Sequence, residues 1–167
     1  EFASGSDDSS LIGPCHNPWK LGYTPGGSSS GSGASVAAGL IFGSMGSCTG
    51  GSIRGPASHC SIVGLKPTYG LVSRSGVFPL SWSIDHAGPM TRTVSDCALM
   101  LQSVAGYDPK DPSSLNIPYT DYYSSLTANI NGMRVGILRE FFDQMPSEVI
   151  SPITNALKVL EKLGASI

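Results

Sequence analysis

Charge is scarce in this chain. Charged residues are 13% of its 167 positions, with 10 Lys+Arg against 12 Asp+Glu and a net charge of −2, where a soluble domain usually carries about a quarter. Acid is absent altogether from the 76 residues between Asp8 and Asp85, whose only charges are Lys20, Arg54, Lys66 and Arg74. Without a basic excess there is no electrostatic footprint for nucleic acid. No apolar run approaches the ~18 residues that span a bilayer; Val36 to Phe42 is far shorter. The first residues carry no positive segment leading into an apolar one, so they do not read as a signal peptide, and there is no initiator Met. The expected compartment is the cytoplasm, with no membrane partner. The four cysteines, Cys15, Cys48, Cys60 and Cys97, never fall in C-x-x-C spacing. The adjacent pairs Cys15-His16 and His59-Cys60 point their ligands apart, so buried free thiols are expected rather than a metal site.

Small residues are abundant. Gly is 21 and Ser 27 of 167, a share that would suit a linker, but 40% hydrophobic content argues against a disordered chain. Residues 26–35 are nine-tenths Gly or Ser, and Val36-Ala37-Ala38-Gly39-Leu40-Ile41-Phe42 follows at once, reading as a small-residue apolar helix. A second Gly-rich segment spans Gly46 to Arg54, and Ile62-Val63-Gly64-Leu65 reads as a short buried run ended by a turn at Lys66-Pro67. Thr93-Val94-Ser95-Asp96 is a capping box that predicts a helix to Ala105, closed by Gly106, with Val94, Ala98, Leu101 and Ala105 on its apolar face. After a polar excursion over 107–131, Met133–Leu138 predicts a strand. Ser151 and Pro152 predict the start of a helix whose buried face is Ile153, Leu157, Leu160 and Leu163, and Ala165–Ile167 begins another strand. Strand, helix, strand is the βαβ order of an α/β protein.

Each Gly/Ser loop by itself reads as a solvated turn, yet two of them flanking a buried segment resemble parts of an active site. Glycine lets a ligand approach the backbone, and serine supplies a hydroxyl that can give and take a proton. A phosphate-binding loop is excluded because no Lys follows either glycine run. Gly27-Ser28-Ser29-Ser30-Gly31 satisfies G-x-S-x-G, but no strand precedes it. A triad of Ser29, Asp85 and His86 has the right chain order, but adjacent Asp and His are badly placed for the bridging hydrogen bond.

Taken in order, Gly26-Gly27-Ser28-Ser29-Ser30-Gly31-Ser32-Gly33-Ala34, Gly50-Gly51-Ser52-Ile53-Arg54, Gly64-Leu65-Lys66-Pro67-Thr68-Tyr69-Gly70, Ser83-Ile84-Asp85-His86-Ala87-Gly88-Pro89-Met90 and Arg92-Thr93-Val94-Ser95-Asp96 resemble the blocks of the amidase signature family. Glu1-Phe2-Ala3 and Asn17-Pro18-Trp19 are similar too. The resemblance runs from residue 1 to about 110. It implies an α/β fold with a mixed central sheet sandwiched by helices, of which residues 1–167 are part of a single domain truncated at both ends. It implies hydrolysis of carboxamide C–N bonds by a Ser–cis-Ser–Lys triad, with no cofactor or metal and a small-molecule amide as substrate. Ser52 is then the nucleophile and Ser28 the cis-serine, 24 residues before it. Ser28 would relay the proton to a neutral lysine, and the backbone N–H groups of Thr49, Gly50 and Gly51 would form the oxyanion hole.

Two departures stand out. The family's lysine lies well upstream of the cis-serine, beyond the 27 residues available here. Lys66 is expected to belong to its own turn and Lys20 to a solvated loop. The family's acid two residues before the first Gly of G-G-S-I-R is Cys48 here, which leaves Arg54 short of one partner. Asp85 and His86 are expected to hold a chain crossing near the site, and Phe78 and Trp82 to serve as core or pocket wall. Two alternatives share these blocks: the glutaminase subunit of a tRNA-dependent amidotransferase, which needs partner subunits, and a non-catalytic scaffold relative.

Overall fold

The computed structural model describes residues 13–127 and 129–167; Glu1-Phe2-Ala3 lies outside them. The chain forms two compact units, divided between Ser125 and Leu126. In the first, α1 (Ser30–Ala37), β1 (Gly43–Cys48), α2 (Arg54–His59), β2 (Val63–Gly64), β3 (His86–Thr91) and α3 (Val94–Val104) follow in order. The strands make one antiparallel sheet in the order β1-β3-β2. The register pairs Gly43 with Thr91 at one end of β1 and Cys48 with His86 at the other.

Alternation along β3 distributes the two faces of the sheet. Met90 packs with Cys48, Ile53 and Ala57 on the side of α1 and α2. Ala87 packs with Leu71, Val72 and Leu101 on the side of α3. Helices therefore cover both faces. Pro89 sits in this central strand without harm. Its carbonyl accepts from Leu65 N–H at 3.0 Å on the β2 side, where β2 has already ended at Gly64, so its missing N–H interrupts no ladder.

The Gly/Ser tract is itself the helix. α1 covers Ser30–Ala37, and the expected helix over Val36–Phe42 is not formed beyond its first two residues. The backbone turns at Gly39, where φ is +73°, and Leu40 and Phe42 are exposed. Periodicity misses this because α1 is held by hydroxyls rather than by a hydrophobic stripe. β1 is an edge strand, and its outward carbonyls need partners. Ser32 Oγ donates to the Met45 carbonyl at 2.9 Å and Ser29 Oγ to the Ser47 carbonyl at 3.2 Å. Ser47 N–H returns a bond to Ser29 Oγ at 3.2 Å. Arg92 Nη1 donates to the carbonyls of Val36 and Ile41 and so closes the far end of α1.

α3 follows its capping box. Thr93 Oγ1 accepts from Asp96 N–H at 3.0 Å, and Ala98 and Leu101 are buried as expected, but Val94 is exposed while Cys97 takes the inward place.

In the second unit, α4 (Arg139–Phe142) and α5 (Ser147–Lys162) are helical. α5 begins four residues before Ser151, after Pro146, whose φ of −58° suits a helix entrance. Pro152 is thus inside α5, not at its first position. Ile153, Leu157 and Leu160 are half-buried and Leu163 is exposed. The two expected strands reduce to one parallel bridge, Arg134 with Ser166, in which Val135 N–H donates to Ser166 O and Ser166 N–H to Met133 O, both at 2.8 Å.

Candidate active site

The site forms where the Gly/Ser loop before α1, the β1–α2 loop and the long β2–β3 connection meet. Ser28, Ser47, Thr49 and Ser52 line one side of a cavity of ≈ 320 Å³, and Arg74, Val77, Phe78, Pro79, Leu80, Asp85 and His86 complete it. Of the residues expected from sequence, Ser28, Ser52 and Thr49 are brought together here. Gly50 and Gly51 join Thr49 to Ser52 without lining the cavity. The Gly27–Ser28 peptide is cis, the isomer the resemblance implied. Ser29 N–H donates to the Ser52 carbonyl at 3.3 Å, tying the two serine loops. At Gly26, φ is +79° and a Cβ would lie 3.1 Å from Pro56 N and Cα. Only glycine lets the first loop approach α2 this closely.

The opposite wall is the segment 74–85, held by Arg74. Its Nη1 donates to the carbonyls of Trp82 and Asp85 at 3.0 and 3.3 Å, and its Nη2 to Tyr69 Oη and Ser113 Oγ at 2.8 and 2.6 Å. The guanidinium lies over the Tyr69 ring and 3.8 Å from the buried Asp111 carboxylate, which also accepts the Arg74 backbone N–H at 2.7 Å. Arg74 is therefore a structural clamp whose terminal nitrogens are occupied.

Asp85 is buried beside the serine loops. One carboxylate oxygen accepts from Thr49 Oγ1 at 2.5 Å, and the other accepts from Leu80 and Ser81 N–H at 2.8 Å each. Burial works against its charge, but the Thr49 hydroxyl, the Ser81 and Leu80 amides and Arg74 outweigh it and hold the carboxyl below its ordinary value. The acid-free stretch thus ends at an acid that lines the cavity, with its charge already engaged. His86 Nδ1 lies 2.6 Å from the Ile84 carbonyl, which makes it the donor nitrogen. Nε2 then accepts from Lys66 Nζ at 3.0 Å. Lys66 also donates to the Pro67 carbonyl in its own turn, so it serves the turn as expected and supports a cavity residue as well. Lys20 is exposed, its ammonium over the Tyr23 ring. Asp85 and His86 are adjacent and face different partners, so they form no triad with Ser29, whose hydroxyl is engaged with Ser47.

Cys48 is 1% exposed and packs against Ile53, Ala57 and Met90. In this chain the position is core, while Arg54 is exposed. Phe78 is cavity wall, and Trp82 is an exposed wall of the adjoining cleft rather than core. Sequence reasoning placed Phe78 in core or pocket wall but missed Arg74 and the rest of that wall, Val77, Pro79 and Leu80. No periodic element runs through them, and the only signal was an arginine beside a glycine-containing turn. Among the described residues no His/Cys/Asp/Glu group could hold a metal ion, and no helix is long and apolar enough to cross a membrane.

The sheet with helices on both faces and the two serine loops converging on one cavity define an α/β amidase scaffold. The amidase family model matches residues 1–167, and the chain belongs to that family. It is 50% identical over 167 residues to a glutamyl-tRNA(Gln) amidotransferase subunit of Pelobacter propionicus, covering 99% of this chain and 34% of the relative. It is 53% identical to the corresponding subunit of Carboxydothermus hydrogenoformans, again over 99% and 34%. Among solved structures, the glutamyl-tRNA(Gln) amidotransferase subunit of the same kind from Thermotoga maritima superposes with a TM-score of 0.93 at 43% identity, covering 99% of this chain and 37% of that one. A bacterial aryl acylamidase of the amidase signature enzymes gives 0.86 at 34%, over 97% and 34%. The chain spans about a third of the length of these relatives.

Proposed function

We propose that the protein to which these residues belong hydrolyses carboxamide C–N bonds through an acyl-enzyme on Ser52. The reading treats residues 1–167 as part of one larger amidase domain working in the cytoplasm on a small-molecule amide. It is supported above all by the convergence of Ser28, Ser52 and Thr49 on one cavity. Ser52 Oγ attacks the amide carbon, and its proton passes through Ser28 to a lysine outside this chain. The carbonyl oxygen becomes an oxyanion received by the N–H groups of Thr49, Gly50 and Gly51, each such donor being worth ~10²–10³ in rate. The relayed proton leaves with the amine, and water then releases the acid.

The test is a fluorophosphonate probe on the full-length protein. Labelling is expected at Ser52 and is expected to vanish in Ser52→Ala. Labelling that survives this change rules the nucleophile out, and a protein that never labels supports the non-catalytic scaffold instead. A second reading, the glutaminase subunit of a tRNA-dependent amidotransferase, is favoured by the 50–53% identity to glutamyl-tRNA(Gln) amidotransferase subunits. Ammonia release from glutamine that appears only when partner subunits are added would select it.

A further inference from the structure

We propose that the Thr49 hydroxyl and the Asp85 carboxylate form a positioning pair that aims the backbone N–H groups of residues 49–51 at the reacting oxygen. The inference rests on the reading of Ser52 as nucleophile. Thr49 is the first residue after β1, and two glycines separate it from Ser52. Such a loop loses much conformational freedom on folding, and oxyanion donors act only when aimed closely. Its far end is fixed by Gly55 N–H donating to the Gly51 carbonyl at 2.7 Å. Its near end is fixed by Thr49 Oγ1 on Asp85. The strand register that pairs Cys48 with His86 brings the next two residues, Thr49 and Asp85, opposite each other.

Asp85 is in turn immobilised. Leu80 and Ser81 N–H bind its second oxygen, and Arg74 binds its main-chain carbonyl. A carboxylate taken up by three donors is poorly available to a substrate, so the pair acts through the loop rather than by touching the reacting amide. The same contact links the cavity's two walls, because the amides that Asp85 holds belong to the segment carrying Val77–Leu80.

The experiment uses full-length protein and reads kcat, KM, thermal midpoint and fluorophosphonate labelling together. Thr49 is only partly buried, so Thr49→Val is expected to fold, with a midpoint modestly lowered by the loss of one of the three donors to the buried Asp85. It is expected to lower kcat about 10- to 100-fold, part of the ~10²–10³ that one oxyanion donor carries, with KM within about threefold of wild type. Thr49→Ser restores the hydroxyl and is expected to return kcat to within about threefold. Thr49→Ala is the second variant and is expected to match Thr49→Val. A wild-type kcat in Thr49→Val and Thr49→Ala, a rise in KM with kcat unchanged, or a Thr49→Ser variant as slow as Thr49→Val would each overturn the pair. Labelling of wild type that persists in Ser52→Ala would instead overturn the nucleophile reading, so the two failures are distinguishable.

Discussion

Gly88 lies beneath three neighbours. A Cβ there would overlap the Leu65 carbonyl oxygen and come 2.8 Å from Pro67 Cδ and 3.1 Å from Ile53 Cδ1. The main-chain oxygen cannot swing aside, so Gly88→Ala is expected to cost the upper end of ~1–3 kcal/mol, read as a lower denaturant midpoint with an unchanged slope. The thiols give a second prediction. Cys48, Cys60 and Cys97 are 1%, 0% and 4% exposed. Burial pushes the thiols of Cys60 and Cys97 above their ordinary value, which leaves little thiolate to react. All three are expected to resist a disulfide reagent in the native protein and to react on denaturation, followed by peptide mapping. At this scale the reading from sequence was uneven for a physical reason. Ser28, Ser52 and Thr49 stand in local blocks whose order carries information. Arg74 works through Tyr69, Trp82, Asp85, Ser113 and Asp111, contacts up to 39 residues away that no local pattern records.

Elements were legible where their ends are made by their own side chains. α3 is set by Thr93 on Asp96, and Thr93→Ala is expected to destabilise the protein by about 1 kcal/mol. β1, Gly-Ser-Met-Gly-Ser-Cys, has no strand propensity to read. It is extended because β3 pairs along all of it and the serines of α1 bind its outer edge. α5 shows the opposite error, in which a true helix signal was placed too late. Its sixth residue, Pro152, cannot donate to the Glu148 carbonyl. Pro152→Ala is therefore expected to stabilise α5 by up to ~3 kcal/mol, where a proline at the first helical position would show almost no gain. Circular dichroism with thermal unfolding of the full-length protein distinguishes the two.

Across the first unit, carboxylates hold the β2–β3 connection in place, Asp85 tying it to the loop after β1 and Asp111 to the segment after α3. Asp111, like Asp85, is buried. Burial opposes its charge, and the Ser113 hydroxyl, the Arg74 and Ser113 amides and the Arg74 guanidinium prevail, so its carboxyl also sits below the ordinary value. A carboxyl whose folded value is lowered adds stability that is complete above the unfolded value and is lost as pH falls through the folded one. Unfolding midpoints are expected to be nearly flat from about pH 7 to 5 and to fall below about pH 4. Asp111→Asn is expected to lower the plateau and flatten that acid limb; an acid limb as steep as wild type would remove Asp111 from the account.

The register of β1 on β3 has a consequence for length variation. Thr49 and Asp85 meet because every pair from Gly43 with Thr91 to Cys48 with His86 is in step. Deleting or inserting one residue within either strand would move a neighbour into the place of Thr49 or Asp85 and turn inward-facing residues outward. The 35 residues between Thr49 and Asp85 carry no such constraint at the exposed turn around Ser75-Gly76. A residue added there leaves the strand register in step and instead shifts the cavity wall between Arg74 and Val77, so length change at this turn reshapes the cavity while length change in the strands unpairs them.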